Sequence, residues 1–145
     1  MKKRIESDEC INRGSLIETG VPDKAMAMEI LAVAEHREKF WKEANLAHKY
    51  SSLYLEGHYE IIKELCTAIL AAEGWKALDH ECMFAFIRKK KDFGLDFDYL
   101  LELKELRNGI DYRGLMVSKD LWKCNELRIM LAIDALKGYL KQITA

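Results

Sequence analysis

Four neighbouring side chains in this sequence could together bind a phosphate group: Arg107, Asn108, Asp111 and Tyr112. An arginine can hold two phosphate oxygens at once and stays charged at any physiological pH. An amide can position a hydroxyl or a phosphate, and a phenol can both donate and accept a hydrogen bond. These residue types at this spacing indicate a site for a ligand that carries phosphate.

A helix through this stretch would bring the four side chains together in pairs. Arg107 and Asp111 stand four positions apart, so they would share one face of the helix. The same spacing relates Asn108 to Tyr112. An apolar stripe runs beside the pairs, formed by Leu103, Leu106 and Ile110. The predicted site therefore lies at the edge of a buried surface.

Gly109 stands in the middle of the motif, where a helix does not favour it. A glycine costs about 1 kcal/mol relative to alanine inside a helix, and its missing side chain would let another helix come close. The alternative interpretation is structural. Arg107 and Asp111 would then form an ion pair worth a few tenths of a kcal/mol, with Asn108 and Gly109 near a frayed helix end. The residues alone leave both interpretations open.

The remaining sequence predicts the helices that position this motif. Apolar residues recur every three or four positions between short polar breaks, and no alternating strand pattern is found. The predicted N-terminal caps are Asp23, Ser51 or Ser52, Asp79, Asp96 and Ser118. The helix after Pro22 is expected to end at about Tyr50, and Gly74 should end the next one. Residues 93–95 are predicted to be a connector.

This pattern predicts an all-α fold, an up-and-down bundle of four to five main helices plus a short N-terminal helix. Residues 1–145 form a single domain of ordinary size. Residues 1–21 are expected to be an N-terminal extension that packs on the bundle. Its apolar residues, assigned to the short helix, are Cys10, Ile11, Leu16 and Ile17. His58, next to the buried Tyr59 position, is expected to lie off the core.

Charge and hydropathy exclude two classes of protein. The formal net charge of −1 argues against a strongly basic nucleic-acid binder, but it leaves room for a local basic patch. The run Arg88-Lys89-Lys90-Lys91 is either a solvated helix end or such a patch against an RNA backbone. No apolar run reaches the roughly 20 residues of a membrane span. A charged N-terminus unlike a signal peptide predicts a cytoplasmic protein.

The sequence predicts no metal and no cofactor. The motifs of phosphate loops, zinc proteases and EF-hands are absent. His80-Glu81-Cys82 resembles the start of a deaminase zinc site, but no Pro-Cys-x-x-Cys completes it. The four cysteines are far apart and form no Cys-x-x-Cys pair, which favours reduced thiols in a cytoplasmic protein.

Arg107-Asn108-x-x-Asp111-Tyr112 after an amphipathic helix resembles the signature of the HEPN superfamily, the higher-eukaryote and prokaryote nucleotide-binding domains. Three other stretches are similar to the family in the same order. They are the entry Gly20–Asp23, the central helix Tyr59–Gly74, and the polar start Asp79–Glu81 of the following helix. Together the resemblance covers about residues 10–143.

The resemblance implies a helical bundle that forms a homodimer and binds a nucleotide or RNA in the cleft between its subunits. In ribonuclease members of the family, a histidine follows the arginine within the next two turns. Here those positions hold Tyr112, Arg113 and Gly114, and no histidine follows His80. Arg107 and Asn108 carry over directly, with Asp111 and Tyr112 as a variant of the motif. A phenol is a poor general base at neutral pH.

Three functions remain open from the sequence. The first is a HEPN-like nucleotide- or RNA-binding module with weak or no catalysis, which acts beside a minimal nucleotidyltransferase. The second is a metal-independent HEPN ribonuclease of a toxin–antitoxin kind, in which Arg107 and Tyr112 or a distant histidine act on RNA. The third is a structural or partner-binding helical dimer in which the motif serves packing alone.

Overall fold

The computed structural model describes residues 5–90 and 95–145. Within them the chain forms six helices and one pair of short strands. The elements in chain order are α1 Ser7–Asn12, β1 Leu16–Glu18, α2 Lys24–Ala44, α3 Ser51–Ala72, β2 Trp75–Ala77, α4 His80–Lys90, α5 Phe97–Arg113 and α6 Lys119–Thr144. The protein is an all-α helical bundle, as the sequence predicts. None of the described helices combines the length and apolar character that crossing a membrane requires.

Helix α3 is the centre of the bundle. It packs against α2, α4, α5 and α6, so its apolar side chains face other helices on almost every side. The fully buried positions on α3 include the predicted stripe of Leu55, Tyr59, Ile62, Cys66 and Ile69. Because α3 touches both α4 and α5, polar residues at the edge of its buried face can meet polar residues of those helices.

The prediction of one short helix for the N-terminal extension is wrong in its second half. Leu16–Glu18 is a strand that pairs antiparallel with Trp75–Ala77. Gly14 lies at φ +78, a left-handed conformation that favours glycine, so the chain turns there instead of continuing α1. The extension also contacts the end of α4, where Arg88 Nη2 donates to the carbonyl of Ile5 at 2.9 Å and Lys89 lies 3.1 Å from Asp8.

Two cysteines are not free thiols, which corrects the expectation of four reduced cysteines. Cys10 of α1 and Cys82 of α4 form a disulfide with their Cα atoms 5.7 Å apart. The residues are 72 positions apart in sequence, and neither exposes any surface. Cys66 and Cys124 are free. Spacing along the chain gave no signal of this pairing because the fold alone brings the two cysteines together.

Four of the five predicted helix starts are confirmed, and so is the predicted end of α3 at Gly74, which lies just after the helix at φ +80. The side chains of Asp23, Asp79, Asp96 and Ser118 each accept a hydrogen bond from a backbone N–H of the first turn. The prediction that Ser51 or Ser52 caps α3 is wrong, because no side chain caps this helix. Ser51 Oγ instead donates to the carbonyl of Ala47. Lys91, Phe93 and Gly94, which belong to the predicted basic run and connector, lie outside the described residues.

The predicted helix up to about Tyr50 ends early. Asn45 adopts a left-handed conformation with φ 48, and α2 stops at Ala44. The apolar stripe that the sequence predicts for α2 includes Val33, Phe40 and Trp41, and it is partly wrong, because Val33 and Phe40 are exposed. Trp41 does pack inward, against Gly57 of α3. The missing side chain of Gly57 leaves the space for this close contact.

Candidate functional site

Helix α5 runs unbroken through the motif. It begins after Asp96, whose side chain accepts from the backbone N–H of Tyr99, and it ends at Gly114 in a left-handed conformation. The motif is therefore helical, and the alternative of a frayed end at Asn108 and Gly109 is wrong. The ion pair of that alternative is present, with Arg107 Nε 2.9 Å from Asp111 Oδ2.

Gly109 does not admit another helix, contrary to the sequence expectation. A Cβ atom at this position would lie 3.0 Å from Leu115 Cδ2 and 3.2 Å from Arg113 Nη2. The backbone N–H of Leu115 donates to the carbonyl of Gly109 at 2.9 Å. The missing side chain thus lets the chain fold back on α5 immediately after the motif.

Arg107 is the centre of a polar cluster in which α3, α4 and α5 meet. Its Nη2 lies 3.3 Å from Glu60 Oε1 of α3, and its guanidinium stands 5.8 Å from the ring centre of Tyr59. Nη1 donates weakly to Asn108 Oδ1 at 3.4 Å. Only 17% of the Arg107 side chain is exposed. Burial opposes its charge, but Asp111 and Glu60 outweigh burial and raise the pKa of Arg107.

The Arg107 Nε–H group is held near a carboxylate without a hydrogen bond to it. Nε is 2.9 Å from Asp111 Oδ2, yet this buried N–H has no hydrogen-bond acceptor in proper alignment. The contact is therefore an ion pair that leaves one donor of the guanidinium unused. Buried donors without an acceptor are rare in folded proteins.

Glu56 of α3 adds a carboxyl group that titrates near neutral pH. Its pKa is raised to about 7, first because its side chain hydrogen-bonds Asp111, and then because of burial and the negative charge of Asp111. Arg107 partly opposes this rise. A carboxyl group that hydrogen-bonds a second carboxyl group beside an arginine is thus raised into the range where acid–base groups work at neutral pH.

His80 brings an imidazole to the same cluster from the first position of α4. Its Nδ1 lies 2.7 Å from the hydroxyl oxygen of Tyr59. Burial lowers the pKa of His80, and the positive charges of Lys63 and Arg107 lower it further. His80 is therefore neutral at pH 7. Although α5 has no histidine, a histidine of α4 lies within electrostatic reach of its arginine.

Two lysines complete the cluster, and each lies beside a carboxylate. Lys63 is 2.8 Å from Glu60, and Lys104 is 3.0 Å from Glu81. The cations are therefore balanced by acids in the unliganded protein. An anion that entered the cluster would compete with these carboxylates for the same nitrogen atoms.

Tyr112 occupies a different environment from the other three motif residues. It is 74% exposed. Within the described residues its side chain makes no hydrogen bond, ion pair or ring contact, although it is close enough to Arg107 to affect its charge. The structure thus brings Arg107, Asn108 and Asp111 into one cluster and leaves the phenol of Tyr112 at the surface beside it.

The residues of α3 and α4 that complete the cluster are not among the site residues predicted from the sequence: Glu56, Tyr59, Glu60 and His80. Glu56 and Glu60 stand four positions apart on one helix, flanking the buried Tyr59. Two carboxylates at the edge of an apolar stripe are a usable signal for a polar contact with a neighbouring helix. No pattern in the sequence shows that this neighbour is α5.

The chain matches no protein-family model, no curated protein and no solved structure. The likeness to HEPN proteins therefore rests on the motif and its neighbouring stretches alone. Among the described residues, no three histidine, cysteine, aspartate or glutamate side chains are grouped to hold a metal ion.

Proposed function

We propose that this chain is a HEPN-like helical module that binds a nucleotide or RNA at the cluster around Arg107, with weak or no catalysis. The observation that carries this proposal is the convergence of Arg107 with His80 and Lys63 from the two neighbouring helices. Arginine, lysine and imidazole are the groups that hold phosphate oxygens. The exposed ring of Tyr112 beside them supports stacking on a base.

Binding in this site is an exchange of partners for Arg107. A phosphate diester would take the guanidinium nitrogen atoms that Glu60 and Asp111 hold in the free protein. Arginine binds phosphate bidentately, so the exchange replaces one charge-assisted contact with another. The carboxylates that are released repel the ligand, and modest affinity is expected for this reason.

The proposal is tested with a fluorescently labelled single-stranded RNA and with a nucleotide, titrated while anisotropy is measured. We expect saturable binding that Arg107→Ala weakens about tenfold or more, because a charged hydrogen-bonding partner is lost. Arg37→Gln is the matched control: it also removes one positive charge, but Arg37 of α2 pairs with Glu64 at 2.8 Å and not with a carboxylate that holds Arg107. Arg107→Lys keeps the charge and should bind with intermediate affinity.

Two results would count against the proposal. One is the absence of saturable binding to wild-type protein. The other is equal binding by wild type and Arg107→Ala when circular dichroism shows the same helical content in both. If Arg37→Gln weakened binding as much as Arg107→Ala, general charge rather than the cluster would explain the affinity.

A ribonuclease is the second candidate, and the observation that favours it is Glu56. A carboxyl group with a pKa of about 7 beside Arg107 can take or give a proton at neutral pH, which the phenol of Tyr112 does poorly. Purified protein would be incubated with tRNA and total RNA in the presence of a chelator. Cleavage that disappears in both Arg107→Ala and Glu56→Gln would favour the enzyme. No cleavage, or cleavage unchanged in Arg107→Ala, would reject it.

A homodimer is proposed as the assembly, with a minimal nucleotidyltransferase as a protein partner. The last residue of the motif and two large side chains that follow it are exposed, namely Tyr112 at 74%, Leu115 at 40% and Met116 at 82%. Such a patch supports contact with another chain. Sedimentation of wild type and Met116→Asp tests the dimer, and co-purification with the product of a neighbouring reading frame tests the partner. Loss of the dimer without any ligand binding in wild type would favour a purely structural role.

A further inference from the structure

A cavity that is separate from the Arg107 cluster opens between α2, α3 and α6. Its volume is about 630 Å³, within the usual range for sites that bind small molecules. None of the residues discussed in the polar cluster lines it. A ligand bound in this cavity would be independent of the nucleotide or RNA proposed for the Arg107 cluster.

Aromatic rings form one wall of this cavity. Trp41 of α2, Tyr54 and His58 of α3, and Trp122 of α6 all line it. The ring centres of Trp41 and Tyr54 are 4.9 Å apart, and those of His58 and Trp122 are 5.1 Å apart. Trp41 and Trp122 are tilted against their neighbours at 53° and 50°, while Tyr54 and His58 lie nearly parallel at 18°. The four rings thus form one connected aromatic cluster along this side of the cavity.

Two carboxylates of the lining, one from α2 and one from α6, lie close enough to His58 to affect its protonation. Glu38 of α2 and Glu126 of α6 line the cavity, and both exert a negative electrostatic effect at His58. Glu38 is half-buried and lies 2.9 Å from Lys137. Glu126 makes no hydrogen bond and no ion pair within the described part of the chain. One carboxylate at the aromatic wall is therefore unneutralised.

His58 adds no positive charge to the wall. Its Nδ1 donates to the carbonyl of Tyr54 at 2.6 Å, which leaves Nε2 as an acceptor in the neutral ring. Burial lowers the pKa of His58, so the ring is neutral at pH 7. The expectation that His58 lies off the core is wrong, since it is only 4% exposed. Its burial is what makes it part of this wall.

We propose that this cavity binds a small organic cation, with an alkylated ammonium group against the rings and its charge balanced by Glu126. Aromatic faces attract cations through their electron-rich centres, and clusters of rings are a known solution for quaternary ammonium groups. Of the three lysines that also line the cavity, Lys137 pairs with Glu38, Lys39 lies 3.9 Å from Glu43, and Lys42 is exposed. Glu126 has no such partner among the described residues and is the acid that balances a cation at the rings.

Choline and its neutral isostere 3,3-dimethylbutan-1-ol test the proposal on the 145-residue chain. Each is titrated while tryptophan fluorescence and binding heat are measured, since Trp41 and Trp122 lie in the cavity. We expect saturable binding of choline that is at least about tenfold tighter than that of the isostere, because only choline carries the charge. Equal affinities, or no saturation by choline, overturn the proposal.

Glu126→Gln provides the test of the carboxylate, with Glu102→Gln on α5 as a control of equal charge change. Both residues are exposed, so neither substitution should disturb the core. Glu126→Gln should weaken choline binding about three- to tenfold, and Glu102→Gln should leave it unchanged. Unchanged binding in Glu126→Gln overturns the proposal, as does displacement of choline by inorganic phosphate. Arg107→Ala should bind choline like wild type, which separates this site from the nucleotide site.

Discussion

At the scale of single residues, the site depends on three carboxyl groups that lie around one arginine. Glu60 and Asp111 hold the guanidinium of Arg107, and Glu56 hydrogen-bonds Asp111. The hydrogen bond requires a proton, and this requirement raises the pKa of Glu56 to about 7. The net charge of the cluster therefore changes within the physiological range of pH.

This titration predicts that RNA binding becomes weaker as pH rises. Below pH 7 Glu56 is protonated and the cluster has one negative charge fewer, whereas above pH 7 the added charge repels a phosphate diester. We expect the dissociation constant to rise about three- to tenfold between pH 6 and pH 8, the effect of one partly screened charge. Anisotropy titrations with an RNA that lacks terminal phosphates would measure this change.

Glu56→Gln should flatten this pH dependence, because glutamine keeps a hydrogen-bonding side chain and does not titrate. Glu102→Gln, which lies elsewhere on α5, should retain it. His80 does not explain such a profile above pH 6.5, since its pKa is lowered and the ring is already neutral there. A profile that is equally steep in Glu56→Gln and wild type would refute the role of Glu56.

Residue spacing predicted only the part of the cluster that lies on one helix. Arg107 and Asp111 are four positions apart, and the helix geometry alone brings them together. Glu60 lies 47 positions from Arg107, and His80 comes from a third helix. Their contact depends on how α3, α4 and α5 pack, which local sequence patterns do not specify.

At the scale of elements, the contact between α2 and α3 depends on a glycine. The Trp41 ring occupies the space that a side chain at position 57 would need. Trp41 in turn lies beside Tyr54, with ring centres 4.9 Å apart. Gly57 thus positions the aromatic wall of the cavity as well as the two helices.

Gly57→Ala should lower the free energy of unfolding by about 1–3 kcal/mol, the usual cost of overpacking a well-packed contact. Urea denaturation followed by circular dichroism measures this change. Gly138→Ala on α6 is the control, since a Cβ atom there meets nothing within 4 Å. It should stabilise the protein by about 0.5–1 kcal/mol, because alanine is the better helix former. Equal effects of the two substitutions would contradict the packing account.

Helix starts followed from the sequence because a cap is a local contact. Asp96 and Ser118 reach backbone N–H groups only three residues away. The end of α2 and the β1–β2 pair did not follow in the same way. Asn45 takes a left-handed conformation, and Leu16–Glu18 finds its partner strand almost sixty residues later in the chain.

At the scale of the whole molecule, the disulfide fixes the N-terminal extension to the bundle. Cys10 and Cys82 join α1 to α4, and Arg13 Nη2 lies 2.9 Å from Asp79 at the start of that helix. Because α4 also carries His80, the extension supports the element that brings the imidazole to the site. The link closes a long loop, and such links stabilise mainly by restricting the unfolded chain.

The disulfide predicts that the denatured, unreduced protein exposes two reactive thiols, Cys66 and Cys124, and that reduction exposes four. A thiol-reactive dye measures both values. Cys10→Ser should lower the free energy of unfolding by about 2–4 kcal/mol. Cys124→Ser changes an exposed free cysteine and should have little effect. Four reactive thiols before reduction would contradict the link.

The central claim, that the Arg107 cluster binds a nucleotide or RNA, is tested most directly by the nuclear magnetic resonance signal of Arg107 Nε–H. This N–H is buried and has no aligned acceptor in the free protein. Titration of a short single-stranded RNA into ¹⁵N-labelled protein should shift this signal in a saturable way, together with those of His80 and Asn108. Saturable shifts elsewhere on the protein, with the Arg107 signal unmoved, would contradict the claim.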